Sequence, residues 1–388
     1  MHRRIRYLGT FLPHQMRREV KELYLSTILM NLGLAMVQMF EPIYLYSIGY
    51  DLQWILLFYG IVYALYLLLI PLGAKFTARY GNEKSIVIST VFMVALYLSL
   101  FAIPVYAPLF YVAALLYALQ KMFYWPAFHA DFAQNIKEIE NAREISTLTV
   151  ATSLLFILGP VAAGVLILLG GYPLMFLVVS IIFLLSNIPL LSSPEKFQPT
   201  SFSYRHSFIE LFSVANRRQL FAYMGFAEEF VALVLWPIFI SIMIVNEFDV
   251  GVVIGATVLV SVAVTMIAGR WSDHHHRHPV LRLGTVIYAF SWFIKLIVRT
   301  VTGVFLAGSL SWLAKNIISV TLTSITYSRA KRTSILESIV KFESGLVVGK
   351  LLIIMLLSVI FMFVTDVQSA FAISFIVAGL ASFLYLLL

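Results

Sequence analysis

Long apolar segments alternate with short polar ones along the whole of this 388-residue chain. Twelve segments have about 20 residues, the length that an α-helix needs to cross the roughly 30 Å hydrocarbon core of a membrane. The predicted spans are 22–47, 52–74, 85–104, 108–131, 146–169, 173–191, 219–245, 251–269, 280–299, 303–327, 343–364 and 370–388. Because backbone groups inside a bilayer must find hydrogen-bond partners within the protein, we expect every span to be helical.

The composition agrees with an all-α integral membrane protein. Apolar residues make up 61% of the chain and charged residues only 12%, whereas about a quarter of the residues in soluble domains are charged. There are no cysteines, which excludes disulfides and thiolate chemistry. The chain also lacks a G-x-x-x-x-G-K-[ST] loop, so ATP is not expected to be the direct energy source.

Positively charged residues occur in only one set of the loops. Alternate segments, starting with residues 1–21, hold 22 of the 27 Lys and Arg residues, and the six loops on the other side hold none. Such residues stay on the cytoplasmic side of a membrane. We therefore predict a multi-pass protein of the cell membrane with both termini in the cytoplasm. The net charge of +8 then reflects topology and attraction to anionic lipid headgroups, not a nucleic-acid partner.

The loop between spans 8 and 9 contains four histidines, in the sequence RWSDHHHRHPV. Adjacent imidazoles do not by themselves provide the geometry and supporting hydrogen bonds of a zinc site. We interpret the run as a partly cationic, solvated cytoplasmic loop. A structural or regulatory metal site and a pH sensor remain as alternatives. We predict no cofactor and no metal-ligating residues.

The two halves of the chain show weak internal similarity. Pro42 and Pro237, and likewise Gly60 and Gly255, are 195 residues apart, and EPIYL in span 1 matches WPIFI in span 7. Repeats of this kind are typical of secondary transporters. The predicted units are an N-terminal six-helix bundle (1–195), a cytoplasmic linker (196–217) and a C-terminal six-helix bundle (218–388). Within the linker, residues 204–217 are predicted to form an amphipathic helix on the membrane surface.

The loops that follow spans 2 and 8 carry a recognisable motif. The first reads AKFTARYGNEK and the second GRWSDHHH, and both resemble the G-x-x-x-D-R-x-G-R-R loop of the major facilitator superfamily. The first copy keeps Arg79 and Gly81 but has Ala78 in the aspartate position, whereas the second has Gly269 and Asp273. The resemblance implies that these loops act in conformational change, with Asp273 alone in the aspartate role.

Two further segments resemble parts of the same family. GPVAAG in span 5 is similar to the G-P-x-x-G-G motif of proton-coupled exporters, and span 4 retains Gln120 of an exporter motif. Tyr117 occupies that motif's arginine position, and Lys121 could supply the charge one turn later. The resemblance implies a fold of twelve membrane helices in two pseudo-symmetric bundles, in which helices 1, 4, 7 and 10 line a central cavity.

Charged residues within the spans are costly in lipid and therefore indicate functional sites. The acids are Glu41, Glu228 and Glu229, and the mid-span bases are Lys121, Lys315 and Lys350. Five of these six residues lie on helices that the resemblance places around the cavity. On helix 1, polar residues also follow helical spacing from Thr27 to Glu41. The residues that we predict to bind substrate are Asn31, Gln38, Tyr117, Lys121, Tyr124, Trp236 and Lys315. A purely structural role, bridging helices, is the alternative for the polar ones.

Glu228 and Glu229 point about 100° apart on a helix, so at most one of them can face the cavity squarely. Trp236 is the counterpart of Glu41 in the repeat, and Glu229 precedes it by seven residues, on the same face. We therefore predict Glu229 as the principal proton carrier, assisted by Glu41, with Glu228 as a partner for a neighbouring helix. Burial favours the neutral form of a glutamate, which makes protons the first candidate for the coupling ion and sodium the second.

The remaining polar residues of the spans have less specific interpretations. Lys295 and Arg299 lie near the outer end of span 9 and are expected to extend to the lipid headgroups. Trp125 is expected to be an interfacial anchor. His129 and Asp131 are expected to form a hydrogen-bonded pair at a helix end, with a proton relay as the alternative.

The sequence thus predicts a secondary active transporter that moves a small organic solute by alternating access, as a monomer. Coupling to a proton or sodium gradient is expected, and the motif in span 5 favours export. The alternatives are an importer of a zwitterionic or anionic nutrient and a transport-inactive sensor or scaffold with the same fold. An intramembrane enzyme would need a nucleophile with a base, or paired metal ligands, at membrane depth. It is disfavoured because, apart from His129 near the inner boundary, no span holds a histidine.

Overall fold

The computed structural model is built from helices over almost all of its described length. It describes residues 18–135, 141–192, 197, 199–200, 202–205, 209, 213, 216–274, 277–332 and 334–388. In chain order the long helices are α1 (Arg18–Val37 and Phe40–Ser47), α2 (Leu52–Tyr80), α3 (Asn82–Ala102), α4 (Leu109–Asn135), α5 and α6 (within Asn141–Leu185), α7 (Arg217–Met243), α8 (Glu247–His274), α9 (Arg277–Lys295), α10 (Val301–Ala330), α11 (Ile335–Phe361) and α12 (Val367–Ser382). A short helix, Asn187–Leu190, follows α6, and a 3-10 turn, Phe383–Leu387, follows α12.

Eight helices of the described residues are long and apolar enough to cross a membrane. They are Tyr24–Ser47, Leu52–Tyr80, Asn82–Ala102, Ala151–Leu190, Arg217–Met243, Val301–Ala330, Ile335–Phe361 and Val367–Leu387. The chain is therefore an integral membrane protein with several membrane-spanning helices. The helices α4, α8 and α9 match the remaining predicted spans, for which crossing stays a prediction.

The continuous helix from Asn141 to Leu185 contains a break that divides it into α5 (141–169) and α6 (172–185). At the break Gly170 has φ −149° and Gly171 has φ +70°, a left-handed conformation that favours glycine. The break falls in the GGYP segment, which the sequence predicts to be the short loop between spans 5 and 6. Two glycines in succession thus allow the chain to leave one helix and begin the next without a longer loop.

Helices α1 and α7 are both interrupted at equivalent points of the internal repeat. In α1 the regular helix stops at Val37 and resumes at Phe40, and in α7 the residues Val231–Leu235 form a π-helical turn. A proline follows each interruption closely, Pro42 in α1 and Pro237 in α7. Proline has no N–H and its ring clashes with the carbonyl four residues earlier, which explains why both helices deviate just before it.

Small residues allow α5 to pack closely against two neighbouring helices. A β-carbon at Gly159 would lie 2.6 Å from Ala35 Cβ on α1, and one at Gly164 would lie 2.7 Å from Phe248 Cα on α8. From the opposite side, a β-carbon at Gly251 of α8 would lie 2.3 Å from the Pro160 carbonyl oxygen. The GPVAAG segment is thus a packing surface between α5 and both α1 and α8.

The motif loop between α2 and α3 depends on one glycine. Gly81 has φ +110° and lies between the end of α2 and the start of α3, so a side chain there would be strained. The Arg79 side chain is exposed and lies over the Tyr80 ring at 5.3 Å. Gly269 and Asp273 lie within α8, but the Asp273 side chain, the side chains of the histidine run and most of the proposed linker helix 204–217 lie outside the described residues.

Candidate functional site: a charged central cavity

A cavity of about 460 Å³ lies between the helices of the two halves of the chain. Residues from both interrupted segments border it, with Gln38 and Met39 on α1 and Ala232 and Leu233 on α7. Of the residues predicted to bind substrate or carry protons, those that line the cavity are Asn31, Gln38, Glu41, Tyr117, Lys121, Tyr124, Glu229, Trp236 and Lys315. Glu228 does not line it but lies directly behind the wall. The structure thus brings these predicted residues together around one space.

Glu228 is fully buried and holds a charged network together. Its Oε1 atom lies 2.5 Å from Lys315 Nζ of α10 and accepts a 2.9 Å hydrogen bond from Tyr385 OH near the end of α12. Tyr288 OH of α9 donates to Oε2 of the same carboxylate. Lys315 Nζ also donates to Tyr385 OH at 3.0 Å. A carboxylate without solvent is stable here because a cation and two hydroxyl groups surround it.

Glu229 faces the cavity and pairs with two lysines. Its Oε2 atom accepts a 2.6 Å hydrogen bond from Lys350 Nζ of α11, and its Oε1 lies 3.7 Å from Lys315 Nζ. The Glu229 side chain is 24% exposed, whereas Glu228 is 0% exposed. The adjacent glutamates therefore divide as their helical positions predict, one toward the cavity and one into the helix interface. Lys350, although it lies on α11, belongs to the same network.

Glu41 and Lys121 form a second polar region on the other side of the cavity. Glu41 is buried and accepts a 2.9 Å hydrogen bond from Tyr59 OH of α2. The Lys121 ammonium lies 4.2 Å from the centre of the Tyr117 ring and 5.8 Å from that of Tyr63. Aromatic faces attract cations, so these tyrosines partly replace the water that Lys121 loses. No carboxylate of the described residues lies within 4 Å of Lys121 Nζ.

His129 joins the two halves of the chain, which corrects the expectation that it pairs with Asp131 at a helix end. Its Nε2 atom lies 3.1 Å from Glu343 Oε1 on α11, and its Nδ1 lies 2.5 Å from Tyr327 OH on α10. Tyr66 OH of α2 donates to the other Glu343 oxygen at 2.9 Å. Both ring nitrogens are therefore engaged by the opposite half, because this face of α4 packs against α11.

Glu343 lines the cavity but was missed by the sequence interpretation, since it falls at the first position of predicted span 11. A usable signal was present, because Glu343 precedes Lys350 by seven residues and therefore shares its face of the helix. A second missed set is the tyrosine stripe of α2. Tyr59, Tyr63 and Tyr66 follow i, i+4, i+7 spacing and all line the cavity.

Lys295 is buried, which contradicts the expectation that it extends to the lipid headgroups. It is 2% exposed, and its ammonium lies 3.5 Å from the centre of the Trp292 ring and 4.4 Å from that of Trp236. The reason is its helix face, since α9 packs against α12 on the side that carries Trp292 and Lys295. Arg299, one turn later, is exposed as expected.

The other predicted binding residues differ in how they are held. Asn31 donates to the Thr27 carbonyl of its own helix at 2.8 Å, and Tyr124 stacks on Phe128 with ring centroids 5.5 Å apart. Trp125, predicted to be an interfacial anchor, instead lines the cavity and stacks on the His129 ring at 5.5 Å. Among the described residues no group of three or more metal-ligating side chains could hold a metal ion.

The sequence matches the family model of the Major Facilitator Superfamily over residues 23–246. That segment is more than half of the chain, so the chain belongs to this superfamily. Together with the apolar helices, the family shows a membrane transporter and not an enzyme. Among curated protein sequences, none matches this chain.

Solved structures of transporters share the fold over almost the whole chain. The human organic anion transporter MFSD10 (TETRAN) has a TM-score of 0.62 at 15% identity, covering 95% of this chain and 99% of its own. A bacterial homologue of the iron transporter ferroportin, in an outward-facing state with soaked iron, has a TM-score of 0.68 at 15% identity, covering 95% and 98%. The transporter FucP in the outward conformation has 0.68 at 13% identity, covering 95% and 98%. At these identities the likeness concerns the fold alone.

Proposed function

We propose that this protein is a secondary active transporter that moves a small organic solute through the central cavity, driven by a proton gradient. The observation that carries the proposal is the ring of buried and partly buried charges around one cavity between the halves. Lysines 121, 315 and 350 and glutamates 41, 229 and 343 line it, together with tyrosines and tryptophans. This set matches a solute that has both charged and aromatic or aliphatic parts.

The experiment that tests this function begins with the purified protein in detergent. A stabilisation screen across organic anions, zwitterions and cations would identify solutes that raise its melting temperature, because a ligand that binds only the folded state stabilises it. Radiolabelled uptake of each such solute into sealed proteoliposomes then separates a transporter from a sensor or scaffold. Binding without any movement across the membrane would support the sensor, and the proposal would be abandoned.

The proposed architecture has twelve membrane helices, α1–α12, arranged as bundles of residues 1–195 and 218–388 joined by the linker 196–217. The equivalent glycines of the repeat support it. Gly60 of α2 faces Ile354 of α11, and Gly255 of α8 faces Ile157 of α5, so equivalent helices make equivalent contacts across the halves. Both helix pairs pack closely along the boundary.

The protein is proposed to be a monomer in the cell membrane. The proposed topology places both termini and the histidine loop in the cytoplasm. Single cysteine substitutions, Gly171→Cys and Ser272→Cys, test it, since the chain has no cysteine of its own. We expect an impermeant maleimide added outside intact cells to label the Gly171→Cys variant and not the Ser272→Cys variant. Labelling of both variants from outside, or of Ser272→Cys alone, would contradict the topology.

Alternating access requires contacts between the halves that can break. His129 on α4 and Tyr66 on α2 both bind Glu343 on α11, and these contacts link the halves across this end of the cavity. At the other end Phe40–Ser47 of α1 packs against Trp236–Met243 of α7. We propose that the halves rock about the cavity, opening one set of contacts while the other stays closed. The loop residues Arg79, Gly81, Gly269 and Asp273 are proposed to steady the closed states.

Lys121 is proposed to bind an anionic group of the substrate. It is partly buried and lines the cavity, and no described carboxylate lies within 4 Å of its ammonium, so its charge is available to a ligand. We expect Lys121→Gln to weaken binding of an anionic or zwitterionic solute by about 1–3 kcal/mol, the range for a hydrogen bond to a charged group. The measurement is the shift in dissociation constant by calorimetry. Unchanged affinity in both Lys121→Gln and Lys315→Gln would remove these lysines from the site.

Proton coupling is proposed to follow from the movement of the lysines around Glu229 as the halves rock. While Lys350 and Lys315 lie beside the Glu229 carboxylate, their charges favour its ionised form. When the cavity closes and both lysines move away, an isolated carboxylate is costly at this depth, so Glu229 binds a proton, and it releases that proton when a lysine approaches again or water enters. Glu41, held by the Tyr59 hydroxyl, is proposed to assist, and sodium is the second candidate ion.

The direction of transport is proposed to be export. The support is the GPVAAG segment of α5, which resembles a motif of proton-coupled exporters and forms the packing surface with α8. Import of a zwitterionic or anionic nutrient is the second candidate, favoured by the lysine-rich cavity. Inside-out and right-side-out vesicles with opposite pH gradients distinguish them. An exporter that exchanges solute for protons accumulates solute only when the vesicle lumen is more acidic than the medium, because protons then leave as the solute enters.

A further inference from the structure

A second pocket of about 310 Å³ lies at the end of the C-terminal half that the sequence places outside the cell. The residues that define this outer pocket are Phe239 and Met243 on α7, Lys295 on α9, Arg299 after α9, and Phe371 and Phe375 on α12. Its lining is apolar except for the two cations and Gln368. The outer pocket is therefore an apolar space with positive charge at one side.

Lys295 is the chemically unusual member of the outer pocket. It is 2% exposed, and no carboxylate of the described residues lies within 4 Å of its ammonium. Its ammonium lies over the faces of Trp292 and Trp236, which only partly replace hydration. The other lysines on the C-terminal side of the central cavity, Lys315 and Lys350, are each paired with a glutamate. A buried cation without an anion is costly, so an incoming anion would complete this site.

The surroundings of Lys295 restrict what that anion can be. Phe239 packs against Phe371 and Phe375, with ring centroids 5.4 Å apart in both pairs, and Phe375 also packs against Trp236 at 5.5 Å. These rings form an apolar wall of the pocket that Lys295 also lines. Inorganic ions would leave this wall unused, whereas a molecule with one carboxylate and an aliphatic or aromatic body would cover it.

We propose that the outer pocket binds an amphipathic organic carboxylate, with Lys295 holding the carboxylate and the phenylalanines holding the apolar body. Arg299 contributes a second positive charge at the mouth. Lys295 also lines the central cavity, next to Trp236, so it lies between the outer pocket and the cavity. This binding site does not depend on transport. If no carboxylate binding were detected, the proposed function would not be affected.

The test uses 11-bromoundecanoate as the probe and quenching of tryptophan fluorescence in lipid nanodiscs as the signal, because Trp236 and Trp292 border Lys295. We expect saturable quenching by the carboxylate and about tenfold weaker quenching by 11-bromoundecanol, the loss expected when a charged hydrogen bond is missing. Lys295→Met should reduce carboxylate binding to the level of the alcohol, and Lys295→Arg should restore it in part. Equal binding of the two probes, or undiminished binding by Lys295→Met, would overturn the proposal.

Further variants and a second probe identify the ligand and control for misfolding. Ala372→Leu places bulk in the pocket while leaving Lys295 intact, and it should also abolish saturable quenching. The matched control is Lys341→Met, a lysine outside both cavities, which should bind as the unmodified protein does. Tight binding of 4-bromobutanoate would identify the source as a free organic acid, whereas a need for the long chain would identify a fatty acid of the bilayer. Saturable quenching that survives Ala372→Leu would place the carboxylate elsewhere and overturn the site.

Discussion

Replacing Lys315 by methionine is expected to destabilise the folded protein by about 3–5 kcal/mol, the cost of leaving a buried charge without its partner. Lys315 is the only cation of the described residues within 4 Å of the fully buried Glu228 carboxylate. Without it, Glu228 keeps only the hydroxyl groups of Tyr288 and Tyr385. The measurement is the free energy of unfolding in mixed micelles during titration with a denaturing detergent.

A double variant separates the loss of the pair from the loss of a side chain. Lys315→Met combined with Glu228→Leu removes both charges, and it should recover most of the lost stability because no unpaired charge remains. Lys331→Met, a lysine at the end of α10 away from the cavity, is the matched single control. If the double variant were no more stable than Lys315→Met alone, the ion pair would not be the source of the loss.

Glu229→Gln is expected to abolish accumulation driven by a pH gradient while leaving substrate exchange at equal pH. The glutamine keeps the size of the side chain but can neither bind nor release a proton, so movement of substrate no longer depends on protons. The fold should persist, because Lys315 still has Glu228 and Lys350 can approach the amide oxygen. Both transport modes are measured in the same proteoliposomes with the labelled solute that the screen identifies.

The matched control for this variant is Glu337→Gln, the same chemical change near the start of α11 and outside the cavity, which should keep both modes. Glu41→Gln is expected to slow gradient-driven transport by a smaller factor. If Glu229→Gln kept full gradient-driven accumulation, Glu229 would not be the proton carrier. Loss of both modes together would assign Glu229 to substrate binding instead of coupling.

Much of the helical framework is predictable from local features of the sequence. Pro42 and Pro237 explain both interrupted helices because proline acts on the turn that precedes it, and GGYP explains the break between α5 and α6. The placement of Glu229 toward the cavity likewise follows from its seven-residue spacing to Trp236. Such features depend on positions close together in the chain, and helical geometry converts the spacing into a shared face.

Partners across the fold are harder to predict, because they depend on how helices pack. The sequence around His129 on α4 does not predict that its partners are Glu343 and Tyr327, some 200 residues later. The prediction that Lys295 extends to the lipid headgroups was wrong for a related reason. A lysine near a helix end can turn outward to the headgroups or inward onto a tryptophan, and only the packing of α9 against α12 decides which.

The most direct test of the central account is uptake of the identified solute by purified protein in proteoliposomes under an imposed pH gradient. Secondary active, proton-coupled transport predicts accumulation above the equilibrium concentration, collapse of that accumulation by a protonophore, and no dependence on sodium. Uptake that stops when the solute concentrations inside and outside are equal, and that does not respond to the pH gradient or to the protonophore, would contradict proton coupling.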